Sequence, residues 1–181
     1  MVEPTAVTTV FLVTAVGVFA VNVSTQKDVY ISRCYCHDIA RSYDNDAVIG
    51  SAGISVVTDG NAYIDKCVIE NITSSAGYTD SNGVQVYHYS ADDDYKDTYP
   101  VTAYIRNCKI TNPMTRFVKT QCAKTVVEEC TFTATSTMYS QCRTVDIQCG
   151  CGYVRNNTFV LGVTVYELIA NNRSWEGYDE L

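Results

Sequence analysis

The chain has few of the residues that break strands or mark linkers: three Pro and ten Gly in 181 residues. That scarcity argues against a low-complexity linker and for one globular domain with a sizeable core. A basic surplus is also missing. Thirteen Lys and Arg face twenty Asp and Glu, a formal net charge of −7. No excess cation is left to neutralise phosphates, so nucleic acid is disfavoured as a partner. No Cys-x-x-Cys pair occurs, which disfavours a zinc ribbon. The close pairs are Cys34-x-Cys36 and Cys149-x-Cys151. The nine Cys are an odd number, so they cannot all pair within one chain. There is one Trp against fourteen Tyr.

The apolar run from Thr5 to Val23 lacks the marks of a signal peptide. Its only early charge is Glu3 rather than Lys or Arg, and no clear A-x-A site follows. The run is nearly long enough to cross a membrane. It is rich in Val and Thr, however, and these favour strands. Buried strands are the expectation, with a membrane or export segment as the alternative.

What the chain does contain is a repeat. The stretch AYIRNCKITN, from Ala103, is a near copy of AYIDKCVIEN, from Ala62. Three more copies begin at Val29 (VYISRCYCHD), Thr125 (TVVEECTFTA) and Gly152 (GYVRNNTFVL). Their first apolar column is Ile31, Ile64, Ile105, Val127 and Val154. The second is Cys34, Cys67, Cys108, Cys130 and Asn157. The third is Cys36, Ile69, Ile110, Phe132 and Phe159. Between the first and second columns the apolar residues are three apart, one more than strand alternation allows. One extra residue means a bend, so each motif reads as two short strands meeting at a tight corner.

A third strand lies upstream of each motif. Val21, Ile54, Val84, Val118 and Val145 each open an alternating stretch. About eleven extra residues, approximately Ser90 to Pro100, are inserted in the middle copy. Three strands per repeat describe one coil of a parallel β-helix, in which every coil needs the same inward residues at the same places. Outward positions are expected to vary freely. The predicted fold is an all-β, right-handed parallel β-helix, a single-stranded solenoid of about five to six coils. Residues 1–20 supply N-terminal strands or a first partial coil, residues 21–162 the β-helix, and residues 163–181 a last partial coil and tail.

The motifs YIDKCVIEN, YIRNCKITN and YVRNNTF resemble those of the right-handed parallel β-helix superfamily with the pectin-lyase-like fold. In character the chain is most similar to bacteriophage tailspike and fibre β-helix domains. The resemblance covers roughly Val21 to Leu161. It is the resemblance, together with the general crossover rule, that implies the right hand.

The Cys column reads as core, since thiols are small, apolar and usually buried. Cys122 and Cys149 fall on the inward phase of the upstream strand, while Cys142 and Cys151 are placed in turns. Free thiols suggest folding in a reducing cytoplasm, which suits a virion protein made inside its host. An outward aromatic column precedes the first apolar one: Tyr30, Tyr63, Tyr104, Val126 and Tyr153. It is read as a subunit or domain interface, or as local stacking on one face, with sugar stacking a lesser alternative. Four Asn-x-Ser/Thr patterns, at Asn22, Asn71, Asn156 and Asn172, are attributed to turn composition.

In the lyases and hydrolases of the superfamily, chemistry sits on the outer face of one strand beside long loops. The equivalent row here is Asn22, Ser55, Gln85, Lys119 and Asp146, with a second row Ser24, Val57, Tyr87, Gln121 and Gln148. Glycoside hydrolysis needs two carboxylates at a set separation. A polysaccharide lyase needs a strong base and a cation to neutralise the uronate. Asp146 is the single acid of these rows and Lys119 the single base. They are weak catalytic candidates and are expected to form a salt bridge. The family signatures N-T-D, G-H-G and R-I-K are all missing. His37 and His88 lie in different columns. Asp92, Asp93 and Asp94 are weak Ca²⁺ candidates without the spacing of an EF-hand loop; a solvated loop is the plainer reading. No other cofactor is implied.

No amphipathic helix that would cap the first coil is found, so the ends are expected to need covering by a neighbouring subunit or by the rest of a larger protein. These readings converge on a structural component of a viral particle or similar surface assembly: a fibre, spike or decoration protein at a virion or cell surface. It is expected to be a homo-oligomer, a trimer by preference, or one subunit among others. Host glycans are the expected ligand, with Gln85, Tyr87, Lys119 and Gln121 as contacts. The alternatives are a polysaccharide lyase or glycoside hydrolase fragment and a secreted adhesin.

Overall fold

The computed structural model describes residues 6–8, 12–13, 19–41, 51–74, 81–88, 101–135, 143–148 and 150–171. All regular structure among them is β. The first coil consists of β1 (Ala6–Thr8), β2 (Leu12–Val13) and β3 (Phe19–Thr25). The second is β4 (Val29–Ser32), β5 (Tyr35–Arg41) and β6 (Ser51–Thr58). The third is β7 (Ala62–Asp65), β8 (Val68–Ser74) and β9 (Ser81–His88). The fourth is β10 (Thr102–Arg106), β11 (Lys109–Pro113) and β12 (Arg116–Gln121). The fifth is β13 (Lys124–Glu128), β14 (Thr131–Ala134) and β15 (Arg143–Ile147). The sixth is β16 (Cys151–Arg155), β17 (Thr158–Leu161) and β18 (Glu167–Asn171).

Every third strand pairs with its counterpart one coil on. The three resulting sheets run β1-β4-β7-β10-β13-β16, β2-β5-β8-β11-β14-β17 and β3-β6-β9-β12-β15-β18. All pairings are parallel. The protein is an all-β right-handed parallel β-helix. The Val- and Thr-rich run near the start contributes β1, β2 and β3, as its composition predicts. Among the described residues no helix is long and apolar enough to cross a membrane.

The predicted columns are the observed registers. Ile31, Ile64, Ile105, Val127 and Val154 stand opposite one another in the first sheet. Cys36, Ile69, Ile110, Phe132 and Phe159 do so in the second. Val21, Ile54, Val84, Val118 and Val145 do so in the third, continued by Ile169. These residues line the interior, and from the second coil to the fifth they are completely or almost completely buried.

The extra residue in each motif is a left-handed corner. Arg33, Lys66, Asn107, Glu129 and Asn156 all have φ between 54° and 58°. A single residue in that region reverses the side-chain phase, so that the following Cys faces inward like the apolar residue three before it. A second left-handed column, Asp38, Asn71 and Asn112, turns the chain again within the second strand of three coils. Asn and Asp tolerate this backbone best. Here Asn71 also donates its amide to Asp38 at 2.9 Å, and Asn112 donates to Thr135 at 2.9 Å.

One phase shift is not visible in the motif. In the third sheet, Gly53, Gly83 and Phe117 fall between ladder partners. Phe117 and Val118, although adjacent, are both in the core. Phe117 packs edge-on against Phe132 at 5.3 Å. At Gly83 an added Cβ would lie 2.5 Å from Ile110 Cγ2 and 2.7 Å from the Phe117 carbonyl oxygen. Glycine is thus required where the core is filled from the second sheet by Ile. This local bend turns Arg116 and Arg143 outward at the start of β12 and β15.

Candidate functional site

The outer face of the third sheet is where the superfamily resemblance places chemistry. Ladder partners do bring the two proposed rows together: Ser55, Gln85, Lys119 and Asp146 in one, Val57, Tyr87 and Gln121 in the other. The rows are not an open groove floor, however. Ser55 is 2% exposed, Gln85 4% and Asp146 0%.

These groups are bonded mainly to each other. Gln85 donates to Ser55 Oγ at 2.9 Å, and its carbonyl oxygen accepts from Asn82 at 3.1 Å and from Tyr87 at 3.4 Å. The chain of bonds continues from Thr115 Oγ1 to Asn82 at 3.1 Å and from the Ser81 amide to Thr115 at 2.7 Å. Buried polar groups need such partners. Of the expected glycan contacts, Tyr87, Lys119 and Gln121 form one half-buried patch, with the Lys119 ammonium 5.7 Å over the Tyr87 ring. Gln85 lies behind them and orients Tyr87. Gln121 donates to Gln148 at 2.8 Å.

Asp146 and Lys119 are ladder partners on neighbouring coils. Asp146 also takes a contact at 2.6 Å from Arg116 Nε, one at 3.7 Å from Arg143 and a hydrogen bond at 3.0 Å from Gln148. Arg143 in turn pairs with Glu167 at 2.6 Å. A carboxylate held between guanidinium groups and closed to solvent is a structural ion pair, poorly placed to deliver a proton to substrate. Sequence reasoning missed Arg116, Arg143 and Glu167. The available signal was the repeated Arg two residues before the inward Val, in RFV and RTV. Strict alternation assigns that Arg to the core, and only the bend at Phe117 turns it out.

The first sheet carries the tyrosine column. Tyr30 stacks on Tyr63 with centroids 4.5 Å apart and planes 6° apart, and Tyr63 on Tyr104 at 4.9 Å and 3°. Local stacking is therefore real. The faces these rings turn toward one another are not open to a sugar, and what the column presents is ring edges and hydroxyls. Tyr153, at the far end, is 56% exposed and has Lys124 5.2 Å over its ring.

Beside the tyrosines runs a column whose charge alternates: Asp65, Arg106, Glu128 and Arg155. Glu128 lies 2.6 Å from Arg106 Nε and 2.7 Å from Arg155 Nε. Hydrogen bonding to Arg155, with the charge of Arg106 behind it, holds this carboxyl below its usual range. The expectation that outward positions vary freely is corrected here. They vary in sign so that each charge meets its opposite one coil away.

The interior thiols line up as expected. Cys67, Cys108 and Cys130 are buried, and their Sγ atoms lie 3.1–4.0 Å from backbone carbonyl oxygens of their own and the preceding coil. At the next step Asn157 takes the role, donating to the Val127 carbonyl at 2.9 Å and accepting from the Cys130 amide at 2.8 Å. Burial pushes the Cys36 thiol up to about 12 and Cys34 to about 11. Hydrogen bonding to Cys130 and Cys67 raises Cys108 well above the ordinary thiol value. Cys122 is buried as predicted; Cys151 opens a strand rather than lying in a turn, and is exposed. Cys142 and Cys149 lie outside the described residues.

So do Asp92, Asp93 and Asp94, and with them the candidate Ca²⁺ loop. Among the described residues no group of three or more His, Cys, Asp or Glu is arranged to hold a metal. His37 binds Asp38 through Nδ1 at 2.8 Å, while His88 pairs with Thr58 in another sheet.

The sixth coil differs from those before it. Ile169 occupies the inward column of the third sheet but is 46% exposed, whereas Val145, its partner one coil back, is fully buried. Tyr153, Val160, Tyr166 and Leu168 are exposed around it, and Val154, Phe159 and Leu161 are only partly buried. A scan against protein-family models and searches of curated proteins and solved structures give no match.

Proposed function

We propose that the protein is a structural component of a surface assembly, a viral particle or one like it, with the β-helix serving as fibre, spike or decoration. The observation that carries this reading is the sixth coil. Ile169 stands there 46% exposed in a column that the second to fifth coils bury, and exposed apolar surface of this kind favours association.

The outer faces support the same reading. Asp146 is closed off by arginines, and Gln85 is occupied by its neighbours, so among the described residues the rows of the third sheet offer no pair of open carboxylates for polysaccharide cleavage. Kinship to pectin-lyase-like β-helices, and to tailspikes in particular, is part of the proposal, as is a homo-oligomer, a trimer by preference. The patch of Tyr87, Lys119 and Gln121 is its candidate glycan contact. Free, buried thiols such as Cys36, Cys67, Cys108 and Cys130 suit a chain that folds reduced in a host cytoplasm and works at a virion or cell surface.

Light scattering across a concentration series tests the proposal. A stable oligomer supports it. A monomer at every concentration overturns it and returns attention to cleavage assays on acidic polysaccharides.

A further inference from the structure

Both ends of the stack present the same set of columns. At the last coil these are Val154 in β16, Phe159 in β17 and Ile169 in β18. At the first coil the registers place Val7 opposite Ile31, Val13 opposite Cys36 and Val21 opposite Ile54. Val7 therefore shares a column with Val154, Val13 with Phe159, and Val21 with Ile169. Val21 and Val23 in β3 are only partly buried, while their partners Ile54 and Val56 are fully buried. In β3 and in β18 the described inward residues are thus less covered than their partners one coil further in.

We propose that the occupant of the exposed sixth coil is the first coil of a second copy of this chain, stacked head to tail. In such a joint β16, β17 and β18 of one copy pair in parallel with β1, β2 and β3 of the next, and all three ladders continue. The inference rests on the assembly reading above and names its partner and geometry.

Three observations favour this occupant. The strand directions and the backbone registers match in all three sheets at once. A two-fold joint between two sixth coils cannot do this: it runs the strands antiparallel, and aligning one sheet with itself sets each of the other two against its opposite number. Charges also fit. Continuing the registers brings Arg155 next to Thr8, Glu167 next to Phe19 and Ala170 next to Asn22, so no like charges meet in these three columns. Finally, Ile169, whose column is buried in the second to fifth coils, is exposed where the ladder partner of a further coil would lie. A head-to-tail joint of this kind is open, so it generates a filament rather than a closed ring.

The test uses the full chain with Thr8→Cys and Arg155→Cys together, mildly oxidised with oxidised glutathione. The two positions lie in one register column of the first sheet, in its first and last strands. A head-to-tail joint brings them onto adjacent strands, about 4.8 Å apart between backbones, within reach of a disulfide. The expected result is a series of linked multimers, with the bond between the two introduced cysteines identified by peptide mass. Replacing the exposed Cys151 with Ser in every variant removes the competing thiol, and either single variant then gives no such series. Adding Ile169→Lys, at a half-exposed site where the ammonium can reach water, should abolish the linkage while the circular dichroism spectrum stays unchanged. An oligomer that forms no such bond and tolerates Ile169→Lys overturns head-to-tail stacking but leaves the assembly reading standing. A monomer at all concentrations overturns both.

Discussion

Arg116 and Asp146 meet at 2.6 Å across two adjacent coils, at a point where the carboxylate has no contact with solvent. Their backbones are not ladder partners, because Arg116 stands opposite Arg143 and Asp146 opposite Lys119. The guanidinium reaches diagonally along the outer face to the only acid in its row. The pair joins the fourth coil to the fifth on the side where the superfamily resemblance leads one to look for catalysis.

Removing one partner of a buried ion pair strands the other. Asp146→Ala is expected to cost about 3–5 kcal/mol, and Arg116→Met about as much. The double change Arg116→Met with Asp146→Leu should recover most of the loss, since a well-packed apolar pair is often neutral. Urea denaturation of the four proteins checks this. Additive losses in the double variant would show that the two residues act separately.

Gly83 leaves no room for a methyl group, with Ile110 Cγ2 at 2.5 Å and the Phe117 carbonyl oxygen at 2.7 Å from an added Cβ. Gly83→Ala is expected to destabilise by about 1–3 kcal/mol through overpacking. Ile110→Ala in the same chain would relieve the side-chain clash but not the backbone one, so rescue should be partial. Thermal unfolding of the single and double variants reads out both effects.

The interior thiols should resist modification until the coils open. Cys36, pushed up to about 12, stays protonated at pH 9, whereas Cys151 lies exposed at the start of β16. Iodoacetamide at pH 9 should label Cys151 and leave Cys36 and Cys108 untouched, as read by peptide mass. Native thiols with raised pKa values also make stability fall in alkali. An unfolded thiol titrates near 9.0 and the folded Cys36 near 12, so the unfolded state sheds its proton first. The contribution is complete below pH 9 and is lost as pH rises toward 12. A denaturation midpoint that stays flat across that range would count against this.

The alternating column predicts a charge-swap result. Arg106→Glu places three acids in succession at positions 65, 106 and 128, and should lower the denaturation midpoint. Combining Arg106→Glu with Glu128→Arg restores one opposite-sign contact, and should recover part of the loss. Added salt should shrink both effects, because the Arg106 and Arg155 side chains are open to solvent. At Glu128 itself, Arg155 and Arg106 favour the charged form. Its contribution is therefore present above the unfolded carboxylate range and is lost as pH falls through the lowered native value.

Most of the fold was legible because a β-helix core is one-dimensional. Each coil buries the same side of the same strands, so Ile31, Ile64 and Ile105 had to recur. The extra residue before Cys34, Cys67 and Cys108 had to be a corner. The site was far less legible. Alternation placed Gln85, Lys119 and Asp146 outward, and they are outward, but it could not show that Gln85 and Asp146 are covered or that arginines enclose the acid. The hidden step was the bend at Phe117, which puts two adjacent residues into the core and turns Arg116 out.

Sequence by itself determined the three strands of each coil, their corners, the columns that stack and the thiols that fill one edge of the core. All of these follow from local alternation and from repetition along the chain. Tertiary structure alone decided which outward residues meet. The Tyr30–Tyr63–Tyr104 stack depends on side chains one coil apart turning the same way. The Asp65–Arg106–Glu128–Arg155 column depends on registers fixed by hydrogen bonds between coils. The exposure of Ile169 depends on there being no described coil beyond it, since an inward residue is buried only when a neighbouring layer covers it.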